Sequence, residues 1–176
     1  MMRTLLHWLT AHLPAPRVIY DRAGVSPYLS RWYLIGRPKS LDGGDAFDET
    51  GQPRRRVVWS ASRLGVYLHK FHRGDDDREL HSHPWQWALS LILSGGYVEE
   101  RRDGDSVVTR VLKPGQWNVL RSGDYHRVDL LDDESWSLFV VGPKFASWSF
   151  WNRTTGETIP WREFITRKRG PGWVES

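Results

Sequence analysis

The sequence predicts an all-β fold: a sandwich or closed barrel of short strands, with a short N-terminal helix and a mixed C-terminal tail. Three observations predict it. Between residues 57 and 141 the chain divides into short apolar or alternating runs of strand length. Turn chemistry separates these runs at spacings too short for crossover helices. Sustained helical periodicity is confined to the N-terminus.

In chain order, Leu5, Leu9 and Leu13 recur at i, i+4 and i+8, with Leu6 alongside, before Pro14 and Pro16 stop the pattern. This predicts a short amphipathic helix that docks on the domain by that leucine stripe. Trp32-Tyr33-Leu34-Ile35 is a first strand. Residues 36–56 carry Pro38, Gly43, Gly44, Gly51 and Pro53 among charges, a composition that predicts a long mobile loop. The strand runs are 57–60, 65–71, 85–93, 97–102, 107–112, 117–120, 125–130 and 137–141. Gly95-Gly96 and Asp103-Gly104 supply hairpin turns, Pro114-Gly115 another turn, and Ser122-Gly123-Asp124 a further one. A last strand is expected at 148–151 and a helical turn at 161–165 after Pro160. Within one domain, 1–35 packs on the barrel, 36–56 is a loop, 57–166 is the barrel with its extension, and 167–176 frays.

The composition narrows the chemistry. The 176 residues suffice for a sizeable core. With no cysteine, disulfide scaffolds, thiolate metal sites and cysteine nucleophiles are excluded, and a cytoplasmic location is expected. The net charge is +4, and the basic runs 54–56, 101–102 and 167–169 lie near acidic stretches at 75–77 and 132–134. These runs read as solvated loops and strand ends, so nucleic acid is only a weak expectation as a partner. Glu99-Glu100 and Arg101-Arg102 likewise read as solvent-facing. The N-terminal apolar stretch is too short to cross a bilayer, so no membrane association is expected. Eleven tryptophans read chiefly as core packing. Trp87, Tyr97, Arg102 and Trp117 are candidates for the barrel interior, with the inward phase left open because a bulge would invert it.

The residues that carry chemistry are histidines. His81 and His83 share one face of an extended segment. His126 follows the turn at Gly123. Three imidazoles from two neighbouring strands would make a facial metal site. No G-x-S-x-G elbow and no phosphate-cradling loop is present.

The segment from Gly74 through His81-Ser82-His83 to Gly95 resembles the first motif of the cupin superfamily, G-x5-H-x-H-x3/4-E-x6-G, with Gly74 one position early. Gly115, Gly123 and His126 fall in register on the second motif, G-x5-P-x-G-x2-H-x3-N, where Arg121 replaces the proline and Leu130 the asparagine. The strings 67–73, 81–85 and 90–97, with the tail 142–144 and 160–164, are similar to a group of small bacterial and phage-associated cupin-like proteins without a settled activity. The resemblance implies a cupin-type double-stranded β-helix, a jelly-roll barrel. It further implies a divalent metal held by His81, His83 and His126, Fe(II) first, with Zn, Ni, Mn or Cu as other occupants.

One departure bears on mechanism. The motif's glutamate falls at 87 or 88, where Trp87 and Ala88 stand. A 2-His-1-carboxylate triad is therefore not supplied, whereas some cupin dioxygenases use three histidines alone. Without an anionic ligand the metal would keep its full charge and favour a small chelating or anionic molecule. Glu79, Asp124 and Asp129 are carboxylates that sequence alone does not place. Gln86 is a candidate weak ligand or hydrogen-bonding neighbour, His69 a candidate pocket wall or donor to the ligands, and Arg121 a candidate holder of an anionic substrate.

The first functional reading is an Fe(II) dioxygenase-type enzyme acting on such a small molecule. The second is a metal-assisted isomerase or lyase on the same site. The third is a non-catalytic binding or assembly protein. A homodimer is expected, since the open edges of a sandwich invite pairing.

Overall fold

The computed structural model describes residues 1–21, 25–36, 64–75, 77, 79–144 and 146–164, with the backbone of 39–40 and 57–58. The helix α1 (Met2–Ala11) is followed by β1 (Arg17–Tyr20), β2 (Pro27–Ile35), β3 (Lys39–Ser40) and β4 (Val57–Val58). Then come β5 (Gly65–Phe71), β6 (Leu80–His81), β7 (Trp87–Ser94), β8 (Tyr97–Asp103), β9 (Ser106–Leu112) and β10 (Trp117–Arg121). The series closes with β11 (His126–Leu130), β12 (Ser135–Val141), β13 (Ser149–Trp151) and β14 (Thr158–Pro160), and residues 161–164 form a helical turn. The expectations for the loop at 36–56 and the tail at 167–176 lie almost wholly outside the described residues, as do positions 59–60 of the strand run expected at 57–60.

Two antiparallel sheets form, in the orders β1-β2-β5-β12-β7-β10 and β14-β13-β6-β11-β8-β9. From β5 to β12 the chain alternates between them, changing sheet at each step except the β8–β9 hairpin. The nested orders β5-β12-β7-β10 and β6-β11-β8-β9 are those of a jelly roll. This is the cupin-type double-stranded β-helix. The extra strands β1 and β2 widen one sheet at β5, while β13 and β14 widen the other at β6.

The link from β7 to β8, read from the sequence as a hairpin turn, instead carries the chain from one sheet to the other, and it depends on Gly95 and Gly96. Their φ angles are +74° and +130°. A side chain at Gly95 would meet the Glu134 carbonyl at 2.2 Å, and one at Gly96 the Leu112 carbonyl at 2.5 Å. Only glycine combines those angles with that closeness.

The docking face of α1 differs from the one expected. Leu6 is buried at 5% exposure against Trp32, Leu68 and Trp136, while Leu5 and Leu9 stand 48% and 42% exposed. The reason lies in what flanks the pocket. Arg3 bonds Asp132 at 3.0 Å, and His7 Nε2 meets Glu134 at 2.9 Å with its ring edge-on to Trp136. These contacts set the helix phase by Arg3, Leu6 and His7, and the leucine stripe lies one residue around the turn. His12 bonds the Trp8 carbonyl within its own helix instead of reaching the domain.

Alternation fixes the inward phase. In β7, Ala88, Ser90 and Ile92 are buried inward; in β12, Ser135, Ser137, Phe139 and Val141 are. The opposite face of this sheet carries a cross-strand row, Leu68–Leu138–Leu91–Trp117. Trp117 therefore points away from the interior and is 55% exposed, and Trp87 sits in the same outward phase, its indole against Gly142. Among the described residues no helix is long and apolar enough to cross a membrane.

Candidate metal centre

The three histidines converge between the sheets. His81 lies in β6 and pairs with His126 of β11, Cα against Cα, and with Phe150 of β13 on its other side. His83 lies just beyond β6, where the chain has left the strand. Between them Ser82 points the other way, and its buried hydroxyl lies 2.9 Å from Ser149 Oγ while its amide bonds the Ser149 carbonyl. That clamp holds the extended segment so that both rings face one point. On the far side, Trp85 forms a bridge with Lys144.

The rings form a nearly equilateral triangle. Centroids are 5.1 Å apart for His81–His83, 4.9 Å for His81–His126 and 5.0 Å for His83–His126. One ligand nitrogen from each lies within 4.8 Å of the others, and His83 Nε2 is 2.8 Å from His126 Nε2. Metal–imidazole bonds of roughly 2.0–2.1 Å place ligand nitrogens about 3 Å apart at right angles, a separation that the His83–His126 pair matches, and the three rings together form a group that could hold one ion. Among the described residues no carboxylate joins this group. The motif position for one is taken by Ala88, 1% exposed in a cluster with Tyr67, Leu120, Phe139 and Val141.

A carboxylate is present one layer out. Glu99, on β8, is fully buried and lies 2.7 Å from His126 Nδ1. An ionised carboxylate only accepts, so His126 Nδ1 carries the hydrogen and its Nε2 faces the centre with a lone pair. Glu99 is itself held by Asn118 Nδ2 at 2.7 Å, Arg101 Nη2 at 3.2 Å and the fork of Arg110, whose Nε donates at 3.1 Å. Burial would raise the Glu99 carboxyl, but the hydrogen bond from His126, then those from Arg110 and Asn118, hold it well below the usual carboxylate range. The expectation that 99–102 faces solvent is thus corrected for Glu99 and Arg101. In a strand, one of each adjacent like-charged pair must face inward. Glu100 and Arg102 do face outward, Glu100 pairing with Arg127 and Arg153 and Arg102 lying over Trp151. Arg102 accordingly does not line the interior.

His81 has a parallel arrangement. Its Nδ1 is 3.7 Å from Asp75 Oδ2. That oxygen accepts the Val128 amide at 2.7 Å, and Oδ1 accepts the Tyr28 hydroxyl. Asp75, read from sequence as part of a solvated acidic run, is a nearly buried support of the site. Burial is the first cause that lowers His81, to about 4, with Asp75 opposing it. Burial also leads for His83, followed by His126, His81, Arg31 and His69, and holds it well below 6.5. These two rings are neutral at neutral pH, the form in which imidazole binds metal.

The other site expectations divide. His69 lies on the inner face, 3% exposed, stacked on Phe139 at 4.7 Å, and its Nε2 accepts from Arg31 Nε at 2.8 Å. It is a wall residue outside the triangle. Tyr97 is buried and accepts from Asn118 at 3.2 Å; burial first pushes its hydroxyl up to about 12. It reaches the centre only through Asn118 and Glu99. Gln86 is exposed, with its backbone joining Pro143 and Ser122. Arg121 is exposed at the turn, its amide capped by Asp124. Glu79 caps the Arg153 amide and Asp129 is exposed, so neither turns to the centre. A groove lined by Val98, Glu100, Thr109, Arg127, Asp129 and Leu130 lies on the outer face of the second sheet, away from the histidines.

No protein-family model matches the chain, and no curated protein matches it. Solved structures are similar in architecture. KdgF from Halomonas sp. is 17% identical over 69% of this chain and 85% of its own, with a TM-score of 0.42. A putative mannose-6-phosphate isomerase from Ralstonia eutropha JMP134 is 17% identical over 77% of this chain and 94% of its own, at 0.47. A cupin superfamily protein from Desulfitobacterium hafniense DCB-2 is 18% identical over 48% and 72%, at 0.39. The strand order described above stands without them.

Proposed function

We propose that this protein is a mononuclear metal-dependent enzyme of the oxygenase type, using His81, His83 and His126 to hold a divalent metal, Fe(II) by preference, and acting on a small chelating or anionic molecule. The observation that carries the reading is the equilateral ring triangle with Glu99 fixing the tautomer of His126. Such carboxylate–histidine pairs orient a ligand ring and raise its basicity. A histidine that merely filled the core would have no need of a buried carboxylate that is itself held by Arg101, Arg110 and Asn118. Bound there, the metal would supply Lewis acidity and redox capacity toward O₂ and a chelating substrate.

The chain's own residues do the rest. Phe139, Tyr67 and Trp85 wall one side of the triangle, with the His83 ring stacked on Trp85 at 5.6 Å. These side chains exclude water, which strengthens every electrostatic contact inside. Ala88, in place of a carboxylate, leaves the donor set uncharged.

Elemental analysis of purified protein tests the reading, compared with a His81→Ala/His83→Ala variant. About one equivalent of a divalent metal in the parent and none in the variant is the expected result. Equal absence from both, after incubation with Fe(II), Zn(II) and Mn(II), would overturn it. Oxygen consumption by the Fe(II)-loaded protein with diketones and aromatic diols then separates the oxygenase from an isomerase or lyase.

A further inference from the structure

Beside the histidines lies a concentration of positive charge that the metal does not explain. Arg17 and Arg31 are direct cross-strand partners on β1 and β2. Like charges set opposite each other in a sheet destabilise it. Lys144 forms a bridge with Trp85, the ring beneath the Arg31 guanidinium, which places it at the same cluster, and its ammonium is held below the usual range first by partial burial and then by Arg17 and Arg31. Arg31 makes no ion pair with any carboxylate among the described residues. Its Nε donates to His69 Nε2, and its guanidinium lies over the rings of Tyr67 at 5.0 Å and Trp85 at 5.9 Å. Trp85 stacks on His83. The guanidinium is therefore one aromatic ring away from a candidate metal ligand, fixed at Nε, with its two Nη groups making no hydrogen bond among the described residues.

We infer that Arg31, supported by Lys144 and Arg17, is an oxyanion-binding subsite that holds a carboxylate or phosphate group of the molecule bound at the histidine triangle. A guanidinium anchored through Nε presents its Nη edge as a flat two-pronged donor, the geometry that matches a carboxylate or phosphate. The neutral His69 ring can accept from Arg31 without neutralising it, so the full charge remains for a ligand. Ser137, the cross-strand neighbour of His69 on β12, adds a buried hydroxyl with no hydrogen-bond partner among the described residues. It lies on the same inner face as Phe139 and offers a further polar contact. The anion site stands on the cation cluster; its role as a substrate handle rests on the metal reading proposed above.

The test uses full-length protein and follows the Arg31 Nε–H resonance and tryptophan fluorescence at constant ionic strength. In metal-free protein, inorganic phosphate and acetate, titrated separately, are expected to shift both signals. Arg31→Gln is expected to weaken that binding roughly 10- to 100-fold, and Arg31→Lys, which keeps charge but loses the fork, by less. The His81→Ala/His83→Ala variant is expected to bind phosphate like the parent. In metal-loaded protein, one member of the dicarboxylate series from malonate to adipate is expected to bind at least tenfold tighter than acetate, and Arg31→Gln to remove the gain. Unchanged phosphate and acetate binding in Arg31→Gln overturns the anion site, and a dicarboxylate gain that survives in Arg31→Gln overturns its role as a handle. Arg31-dependent anion binding in a chain that takes up no metal would sink the metal reading and leave the anion site standing.

Discussion

Replacing Glu99 by glutamine separates the support of the metal centre from the centre itself. In the parent, Oε1 accepts from His126, Asn118 and Arg101, and Oε2 accepts from the Arg110 fork. A glutamine has one acceptor oxygen. Its better orientation keeps that oxygen toward His126 and Asn118 and turns the amide NH₂ toward Arg110, donor against donor. The bidentate Arg110 contact is then lost and two arginines remain beside an uncharged residue. Breaking a buried ion pair costs roughly 3–5 kcal/mol. Arg110 is 44% exposed at its side chain and can turn to water, which places the cost near the lower end, about 3 kcal/mol. At this chain length, that is a fall of roughly 6–12 °C in melting temperature. His126 still finds an acceptor at Nδ1, so its ring stays oriented while the anion that raised its basicity is gone. Metal affinity should fall about 10-fold, and about 100-fold in Glu99→Ala, where orientation is lost as well. Thermal melts in chelator read the first effect, and calorimetric titration with Zn(II) against a competing chelator reads the second. A Glu99→Gln variant that binds Zn(II) within twofold of the parent and melts within a degree of it would refute the argument that Glu99 orients and charges His126.

Removing metal with chelator should lower the parent's melting temperature, since a ligand at 100 times its dissociation constant adds about 2.7 kcal/mol; His81→Ala/His83→Ala should melt alike with and without chelator in a calorimeter. Leu6→Ala should destabilise by roughly 2–3 kcal/mol, whereas Leu5→Ala should change urea stability by less than about 0.5 kcal/mol, because only Leu6 enters the Trp32–Trp136 pocket. Burial alone would raise the Glu134 carboxyl, but Lys70, Trp136 and His7 hold it at about 2 against an ordinary 4.5. Its folded value is depressed, so its stabilisation is complete above about pH 4.5 and is lost as pH falls toward 2. Acid melts should therefore show a steeper loss over that window in the parent than in Glu134→Gln.

The fold was legible because its signals are local. Gly95-Gly96 and Asp103-Gly104 mark turns whatever surrounds them, and short alternating runs can bury one face only as paired strands. The triangle of histidines was legible because two motif spacings carried it. What escaped were features set by partners distant in sequence. The strand β1 has four residues, each of intermediate burial, and shows little alternation of its own; it is a strand because β2 offers it an edge. The docking face of α1 was misread because Leu5, Leu9 and Leu13 repeat more regularly than the pair Arg3 and His7, whose partners lie over a hundred residues away. Glu99 was misread as half of a solvated charge run, although strand alternation alone required one of Glu99 and Glu100 to face inward. Asp75 carried no signal at all, since its role comes from Tyr28 and Val128.

The placement of carboxylates explains why the site should prefer anions. In the motif this chain resembles, a glutamate would sit among the ligands and neutralise part of the metal charge. Here Ala88 occupies that place, and the flanking carboxylates Glu99 and Asp75 are each displaced by one imidazole, with Glu99 largely offset by Arg101 and Arg110. A cation bound there would therefore keep much of its charge in a site walled by Phe139, Tyr67 and Trp85, where fields are weakly screened. A neutral ligand would leave that charge uncompensated, while an anionic chelator would both fill open coordination positions and supply the missing negative charge. Arg31 and Lys144 extend the same demand outward, so that an anion at either end of a short molecule meets a positive group. Restoring the carboxylate tests this directly: Ala88→Glu should tighten Zn(II) binding and at the same time weaken binding of oxalate to the Zn(II)-loaded protein, read in one calorimetric series. If oxalate bound as well or better with the added charge in place, the uncompensated cation would not be what selects the ligand.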